Sequence, residues 1–326
     1  MKFSKKYLAV IGILLFVFVI YRIGLEKILS TILNVNLYYV FISLPILLPI
    51  LYLKAYKWKI IVKEFGIQLS QKDAMQYWLI GLFAATLTPG RIGDFYRALY
   101  IRTDKFSSGK ALATIAVDRV FDLISLMLLS IIGVIVILTQ FGDSKLSEYA
   151  LLLVLAGSIA LATVLHRSSM EKLARPLFNM LVPEKYKAKL KGSFYEFYDS
   201  IKFLKNKKKT LAVAFVVSLL AWLIGYTQAY LFFLSLGYEI PYFYLIIFLP
   251  IEVLFNLIPI TVSGFGTREI ALVALFGLLN VPPEVAVSFG LIGYVFGTII
   301  LSFLGLLLWV KRPAKLRLLE TQANSE

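Results

Sequence analysis

Long apolar runs recur along the chain and are separated by short polar and basic segments. Six of these runs are long enough to cross the roughly 30 Å hydrocarbon core of a bilayer as α-helices. The predicted spans are residues 7–23, 37–56, 111–138, 150–166, 210–236 and 284–310. The pattern therefore predicts an all-α polytopic membrane protein, with residues 1–326 forming a single integral membrane domain.

Two further apolar regions, 74–101 and 243–279, are interrupted by proline and glycine. The fifteen residues from Ala74 to Thr88 would form a helix only about 22 Å long, and the second arm, 94–101, is shorter. We therefore predict a re-entrant hairpin in the first region. In the second region each arm could nearly span, so a hairpin and two short spans both stay open. The residues predicted to break the helices are Pro89, Gly90, Gly93, Pro259, Gly264 and Gly266.

The order of these predicted elements repeats. Span, span, hairpin and span occur in residues 1–142 and again in 150–312. Each half then has an odd number of crossings, so the second half is inverted relative to the first. Inverted repeats that carry broken helices are typical of transporters whose binding site lies near the bilayer midplane.

Composition and charge support a membrane location. The chain is 60% hydrophobic, above the 45–50% typical of soluble domains. Its net charge of +15 is concentrated in alternate loops, which places both termini in the cytoplasm of a plasma-membrane protein. Lys54 and Lys57 are counted among these cytoplasmic charges. Nucleic acid is not an expected partner, because no basic and aromatic groove pattern lies outside the apolar runs.

The long basic segment 167–209 contains an amphipathic pattern. Apolar residues recur there at helical spacing, with lysines off the stripe. Two interpretations stay open: an interfacial helix that recruits anionic lipid, and a cytoplasmic cap packed on the helix bundle. The stripe consists of Tyr186, Leu190, Phe194, Phe197, Ile201 and Leu204.

The first break, TPGRIGDFYR, carries charge into an apolar region. Pro89 removes a backbone donor, and a helical arm that starts near Gly93 would present a positive N-terminus to an anion. Arg91 could clamp a phosphate with two hydrogen bonds. Asp94 and Arg97 could pair at i,i+3. The alternative is that these charged side chains reach the membrane surface.

The predicted third span contains three charges in the stretch IAVDRVFDLISL. Asp118 and Asp122 share one helix face, and Arg119 lies about 100° away. Charges at such a depth usually face the bundle interior and pair. A structural pair of an aspartate with Arg91 or Arg97, and a role in binding a head group, are both compatible with the pattern.

The second break lies in PIEVLFNLIPITVSGFGTREIALVALF. Glu252 and Asn256 are spaced i,i+4 on its first arm. Ser263 lies in the glycine-rich turn, and Arg268 and Glu269 open the next arm. The similarity of SGFGTRE to PGRIGDFYR, at the corresponding place in the other half, favours a shared binding role.

The sequence lacks the motifs of several kinds of catalytic and cofactor-binding site. The chain has no Cys and a single His, and no phosphate-binding GxxxxGK[ST] loop. We therefore expect no metal or other cofactor and assign no catalytic residue. The expected partners are membrane lipids with anionic head groups. A separate lipid-modifying transferase and a second copy of the chain stay open as protein partners.

The three charged stretches together resemble the flippase-like transmembrane family of lysylphosphatidylglycerol synthase. The resemblance rests on TPGRIGDFYRA, VDRVFDL and NLIPITVSGFGTREIAL, in that order, and covers nearly the whole chain. In bifunctional members the membrane part moves a modified lipid between leaflets, and a soluble aminoacyl-transfer domain follows it. Such a domain is not expected here, because about ten residues follow the last basic cluster. The resemblance implies that the family's polar positions are Arg91, Asp94, Arg97, Asp118, Arg119, Arg268 and Glu269.

The leading hypothesis is a lipid translocase for an anionic lipid that is phosphate-bearing, glycosylated or aminoacylated. One alternative is a membrane enzyme that uses Asp94, Asp118 or Glu269 on a lipid-linked substrate. Another is a non-transporting membrane partner of a separate transferase.

Overall fold

The computed structural model describes residues 5–103, 106–142, 195–197, 199–257 and 264–313, and a few positions between 148 and 159. Within these residues the chain is helical and forms no strand. Four helical segments there are long and apolar enough to cross a membrane, which confirms the predicted all-α polytopic class. These segments are Leu37–Lys63, Ser108–Gln140, Lys208–Ser235 and Pro283–Lys311.

The described helices are numbered here in chain order. They are α1 (Lys5–Ile23), α2 (Leu25–Leu33), α3 (Leu37–Ser43), α4 (Leu47–Lys63), α5 (Gln71–Thr86), α6 (Ala98–Ile101), α7 (Ser108–Gln140), α8 (Lys208–Ser235), α9 (Tyr242–Leu257), α10 (Thr267–Gly277), α11 (Pro283–Ile292) and α12 (Ile300–Lys311). Short 3₁₀ turns occupy Leu44–Ile46 and Pro89–Arg97, and a π-helical stretch, Gly293–Ile299, joins α11 to α12.

The apolar pattern placed some spans more accurately than others. Helices α7 and α8 contain the predicted spans 111–138 and 210–236 within a few residues. The predicted span 37–56 ends too early, because α4 continues to Lys63. The reason is that Lys54 and Lys57 are buried inside the protein and do not lie in a loop. The predicted span 150–166 falls almost wholly outside the described residues.

The first broken region is interrupted where the sequence predicted. However, its second arm is not the α-helix expected from Asp94 to Ile101. The 3₁₀ segment extends to Arg97, and α6 has only four residues. In the second broken region α9 and α10 flank residues 258–263, which lie outside the described residues. Whether either region enters and leaves on one side of the membrane stays a prediction.

The two halves contact each other reciprocally. Helix α5, the first arm of one broken region, packs on α12 at the end of the other half, and α9 packs on α7 in the same way. A glycine permits close approach at both interfaces. A Cβ on Gly305 would lie 2.1 Å from the carbonyl oxygen of Leu79, and a Cβ on Gly133 would lie 2.5 Å from that of Ile247. The inverted repeat of the two halves stays a prediction.

Part of the basic segment 167–209 is described. Residues 199–205 are helical. Leu204 is 1% exposed and packs with Ile61 and Ala214. At this end Leu204 packs on the bundle, and the choice between an interfacial helix and a cap stays open for the segment as a whole. Tyr186, Leu190 and Phe194 lie outside the described residues.

Candidate functional site

The first break folds tightly against the helix that precedes it. The backbone N–H of Gly93 donates to the Thr88 hydroxyl at 2.7 Å. A Cβ on Gly93 would lie 2.0 Å from the carbonyl oxygen of Ala84, so only glycine fits. Arg91 sits on the turn with a positive φ of 56° and is exposed. Its guanidinium has no ion pair among the described residues.

Asp118 and Asp122 on α7 are the centre of a buried charge cluster. Arg97 donates to Asp118 at 2.5 Å, one of the pairs that the sequence suggested, and is fully buried. Arg97 therefore does not reach the membrane surface. Asp94 forms a second ion pair with Arg97 at 3.7 Å and also pairs with Arg119. The sequence-predicted pairing of an aspartate with Arg91 is not found among the described ion pairs.

Two lysines that the sequence interpretation placed in a loop complete this cluster. Lys57 is fully buried and lies 3.1 Å from Asp118 and 2.7 Å from Asp122. Lys54 lies 2.8 Å from Asp122. The signal in the sequence was their i,i+3 spacing within a largely apolar stretch, LYLKAYKWKII, which also contains Lys59.

Aromatic rings and a hydroxyl enclose the cluster. The Arg97 guanidinium lies 4.6 Å from the Trp58 ring centroid, and the Lys54 ammonium lies 4.1 Å from that of Trp222. Ser218 on α8 donates to Asp122 at 2.8 Å. With every group ionised, four cations surround three carboxylates and leave one positive charge in excess. The cluster consists of Lys54, Lys57, Asp94, Arg97, Asp118, Arg119 and Asp122.

The second break is organised by Glu269. Its carboxylate accepts from the backbone N–H of Gly266 at 2.7 Å and from Arg268 at 2.5 Å. It is fully buried and caps the first turn of α10, as an acidic residue does at a helix N-terminus. On α9, Asn256 donates to Glu252. Pro259 and Ser263 lie outside the described residues.

Positive φ angles at two glycines shape this second break. Gly264 has a φ of 76° and Gly266 a φ of 85°, a conformation that glycine adopts without penalty. A Cβ on Gly266 would lie 2.6 Å from the Cβ of Leu15 on α1. The first helix of the chain therefore packs directly on this bend.

One cavity of about 330 Å³ joins the two breaks. Thr88 and Arg91 reach it from the first break, and Glu252, Asn256 and Arg268 from the second. Helices α8, α10 and α11 and the π-helical stretch supply much of the remaining wall, which is largely apolar and aromatic. These wall residues include Trp222, Tyr226, Phe232, Leu272, Phe289 and Tyr294.

The predicted site residues thus divide into two groups. Arg91, Glu252, Asn256 and Arg268 line the cavity. The cluster on α7 and the capping carboxylate Glu269 do not line it. Trp222 connects the groups, because its ring meets Lys54 while the residue also forms part of the cavity wall.

The long apolar helices define an integral membrane protein of the all-α class. Residues 7–305 match the family described as the lysylphosphatidylglycerol synthase TM region. The chain belongs to this family.

Archaeal membrane proteins are among its relatives. The chain is 29% identical to UPF0104 membrane protein MJ1595 of Methanocaldococcus jannaschii, over 93% of this chain and 94% of that protein. It is 24% identical to UPF0104 membrane protein PH1989 of Pyrococcus horikoshii, over 94% of this chain and 97% of that protein. No solved structure matches the chain.

Proposed function

We propose that this protein is a lipid translocase whose cavity holds the anionic head group of a membrane lipid. The observation that carries the proposal is the convergence of two guanidinium groups, one from each broken helix, on a single cavity. Arginine matches the geometry of phosphate, because its planar fork can donate two parallel hydrogen bonds.

The two arginines differ in how they are held. Arg91 has no ion pair among the described residues and is free to meet a ligand. Arg268 uses its Nε and Nη2 atoms for Glu269 at 3.0 and 2.5 Å, and its guanidinium lies 4.9 Å from the Tyr294 ring centroid. Glu269 and Tyr294 therefore orient Arg268, while its remaining N–H groups stay available to the cavity.

The surroundings favour a lipid over a water-soluble solute. The cavity lies among helices whose outward side chains are apolar, such as Phe41, Leu48 and Phe303. A head group in the cavity could keep its tails in the bilayer. Relative movement at the α5–α12 and α9–α7 contacts would then expose the cavity to each leaflet in turn.

The membrane-enzyme alternative is weaker on the same geometry. Asp94 and Asp118 are held in ion pairs with arginines, and Glu269 caps α10. None of these three carboxylates lines the cavity. We therefore assign them to holding the two breaks in place.

Lipid exchange in proteoliposomes tests the proposal. The purified protein would be reconstituted with phosphatidylglycerol that carries a fluorophore on its tail, and a membrane-impermeant quencher would measure transfer between leaflets. We expect Arg91→Gln and Arg268→Gln each to slow transfer by at least roughly tenfold, since a charge-assisted hydrogen bond contributes about 1.5–3 kcal/mol.

Arg22→Ala is the matched control, because Arg22 is an exposed arginine in the last turn of α1. Its transfer rate should equal that of the wild type. Arg91→Gln should also keep the wild-type melting temperature, because no described ion pair is lost. Wild-type transfer in both cavity variants would refute the proposal.

A further inference from the structure

Two residues of the cavity wall each have a buried polar atom that lacks a hydrogen-bond partner among the described residues. These atoms are Nε1 of Trp222 and the hydroxyl oxygen of Tyr226. The residues are spaced i,i+4 on α8, so they share one helix face. Their ring centroids are 6.2 Å apart with an angle of 28° between the planes.

Unpartnered buried donors are costly, and native proteins usually satisfy them. The Trp222 N–H can only donate, while the Tyr226 hydroxyl can donate and accept. A natural partner is therefore a ligand that offers an acceptor to Trp222. Tyr226 is 3% exposed, so its hydroxyl lies within the protein and does not face bulk water.

Glycines beside these rings leave space in the wall. Gly225 and Gly293 both line the cavity. A Cβ at Gly225 would be 4.0 Å from its nearest neighbour, and one at Gly293 would be 3.9 Å from Phe232. These are ordinary contacts, so packing alone does not require glycine at either position. Because both positions line the cavity, the absence of a side chain at each leaves the cavity larger.

We propose that this wall binds the hydroxyl groups of a sugar or polyol head group, attached to the phosphate that Arg91 and Arg268 would hold. This inference rests on the proposed function and specifies its substrate class. A hydroxyl oxygen accepts from Trp222 and exchanges hydrogen bonds with Tyr226. The carboxylate of Glu252, oriented by Asn256, accepts from a further hydroxyl.

The geometry favours hydroxyl groups over an ammonium group. An ammonium has three donors and no acceptor, so it would leave the Trp222 N–H unsatisfied. The ring of Trp222 also already meets the Lys54 ammonium at 4.1 Å, and a second cation nearby would be repelled. A bare phosphate head group would leave the glycine-lined space unfilled.

Binding measurements with three lipids of identical tails test the inference. The probes are phosphatidylinositol, phosphatidylethanolamine and phosphatidic acid, which compete with one another for binding to the wild-type protein in nanodiscs. We expect phosphatidylinositol to bind most tightly. Tyr226→Phe should weaken the binding of phosphatidylinositol roughly two- to tenfold, the range for one hydrogen bond, and leave the affinity for phosphatidic acid unchanged. Gly293→Ala should likewise weaken the binding of phosphatidylinositol alone, because the added methyl group fills space in the cavity.

Ser130→Ala is the matched control, because it removes another buried hydroxyl without a described partner, on α7. All three affinities should stay at wild-type values. The melting temperature of Tyr226→Phe should not fall, since the lost hydroxyl has no partner within the described protein.

The outcomes separate this inference from the proposed function. Equal affinity for the three lipids, or a preference for phosphatidylethanolamine, overturns the hydroxyl assignment and leaves head-group transport standing. If Tyr226→Phe weakens the binding of phosphatidic acid as much as that of phosphatidylinositol, the hydroxyl assignment is also overturned. Loss of all lipid binding and transfer in the wild-type protein would overturn both.

Discussion

Neutralising Asp122 should destabilise the protein more than neutralising one of its cationic partners. Asp122 accepts from Lys54, Lys57 and Ser218 and pairs with Arg119. In the intact cluster four cations face three carboxylates. Asp122→Asn leaves four cations against two carboxylates, whereas Lys57→Met leaves three against three. The two substitutions keep side-chain size similar and change the charge balance in opposite directions.

The expected magnitude follows from burial. Removing one partner of a buried ion pair typically costs about 3–5 kcal/mol, because an uncompensated charge stays behind. We expect Asp122→Asn to fall in this range. Lys57→Met should cost less, because the substitution leaves a neutral cluster of three cations and three carboxylates. The double variant restores the wild-type excess of one charge, so it should be more stable than Asp122→Asn alone.

Unfolding in detergent, followed by tryptophan fluorescence, measures these differences. Glu239→Gln is the control, because this carboxylate is exposed and surface substitutions usually change stability by less than about 0.5 kcal/mol. The charge-balance reasoning is wrong if Lys57→Met is the more damaging change. It is also wrong if adding Lys57→Met to Asp122→Asn gives no recovery.

Two further substitutions test close packing and a surface contact. Gly305→Ala should lose roughly 1–3 kcal/mol or more from overpacking between α12 and α5, whereas Gly277→Ala, with nothing within 4 Å of its added Cβ, should keep the wild-type melting temperature. The Thr210 hydroxyl holds the pKa of Glu64 below its ordinary value of 4.5, so the ionised carboxylate stabilises the fold above that pH and the contribution is lost on acidification. The difference in melting temperature between wild type and Glu64→Gln should therefore shrink as the pH falls below 4.5 and disappear once the pH is below the lowered pKa of Glu64; a difference that persists at still lower pH would contradict this assignment.

The existence of a helix could be predicted from the sequence where an apolar run is long. Helices α7 and α8 follow such runs closely. Helix α4 was predicted too short because lysine usually marks a loop at the membrane surface. That rule fails for Lys54 and Lys57, since their charges are compensated by aspartates more than sixty residues later in the chain. A single sequence contains no direct signal for that pairing.

The break near Pro89 was predicted, but its form was not. Proline and glycine show where a helix cannot continue, while the following 3₁₀ segment depends on packing. Gly93 approaches the Ala84 carbonyl so closely that this segment lies along α5. The 3₁₀ form of this segment therefore goes with a tertiary contact, which the local sequence does not show.

The aromatic wall of the cavity was missed for a different reason. Trp222 and Tyr226 lie in an apolar run, AWLIGYTQAY, where aromatic residues ordinarily pack in the core or face lipid. The sequence does not show that their polar atoms lack partners, because this depends on the positions of the neighbouring helices. The glycines at 225 and 293 gave no signal either, because glycine is common in membrane helices.

The excess positive charge of the cluster would attract the anion that we propose for the cavity. Lys54 lies on one side of the Trp222 ring, and Trp222 itself lines the cavity. At an effective dielectric constant of about 20, a unit charge roughly 8 Å from an anion stabilises it by about 2 kcal/mol. A fully balanced cluster would cost less to bury but would supply no such attraction. On the proposed function, the fourth cation favours the state that holds an anionic head group, which would be a physical reason for keeping four cations beside three carboxylates.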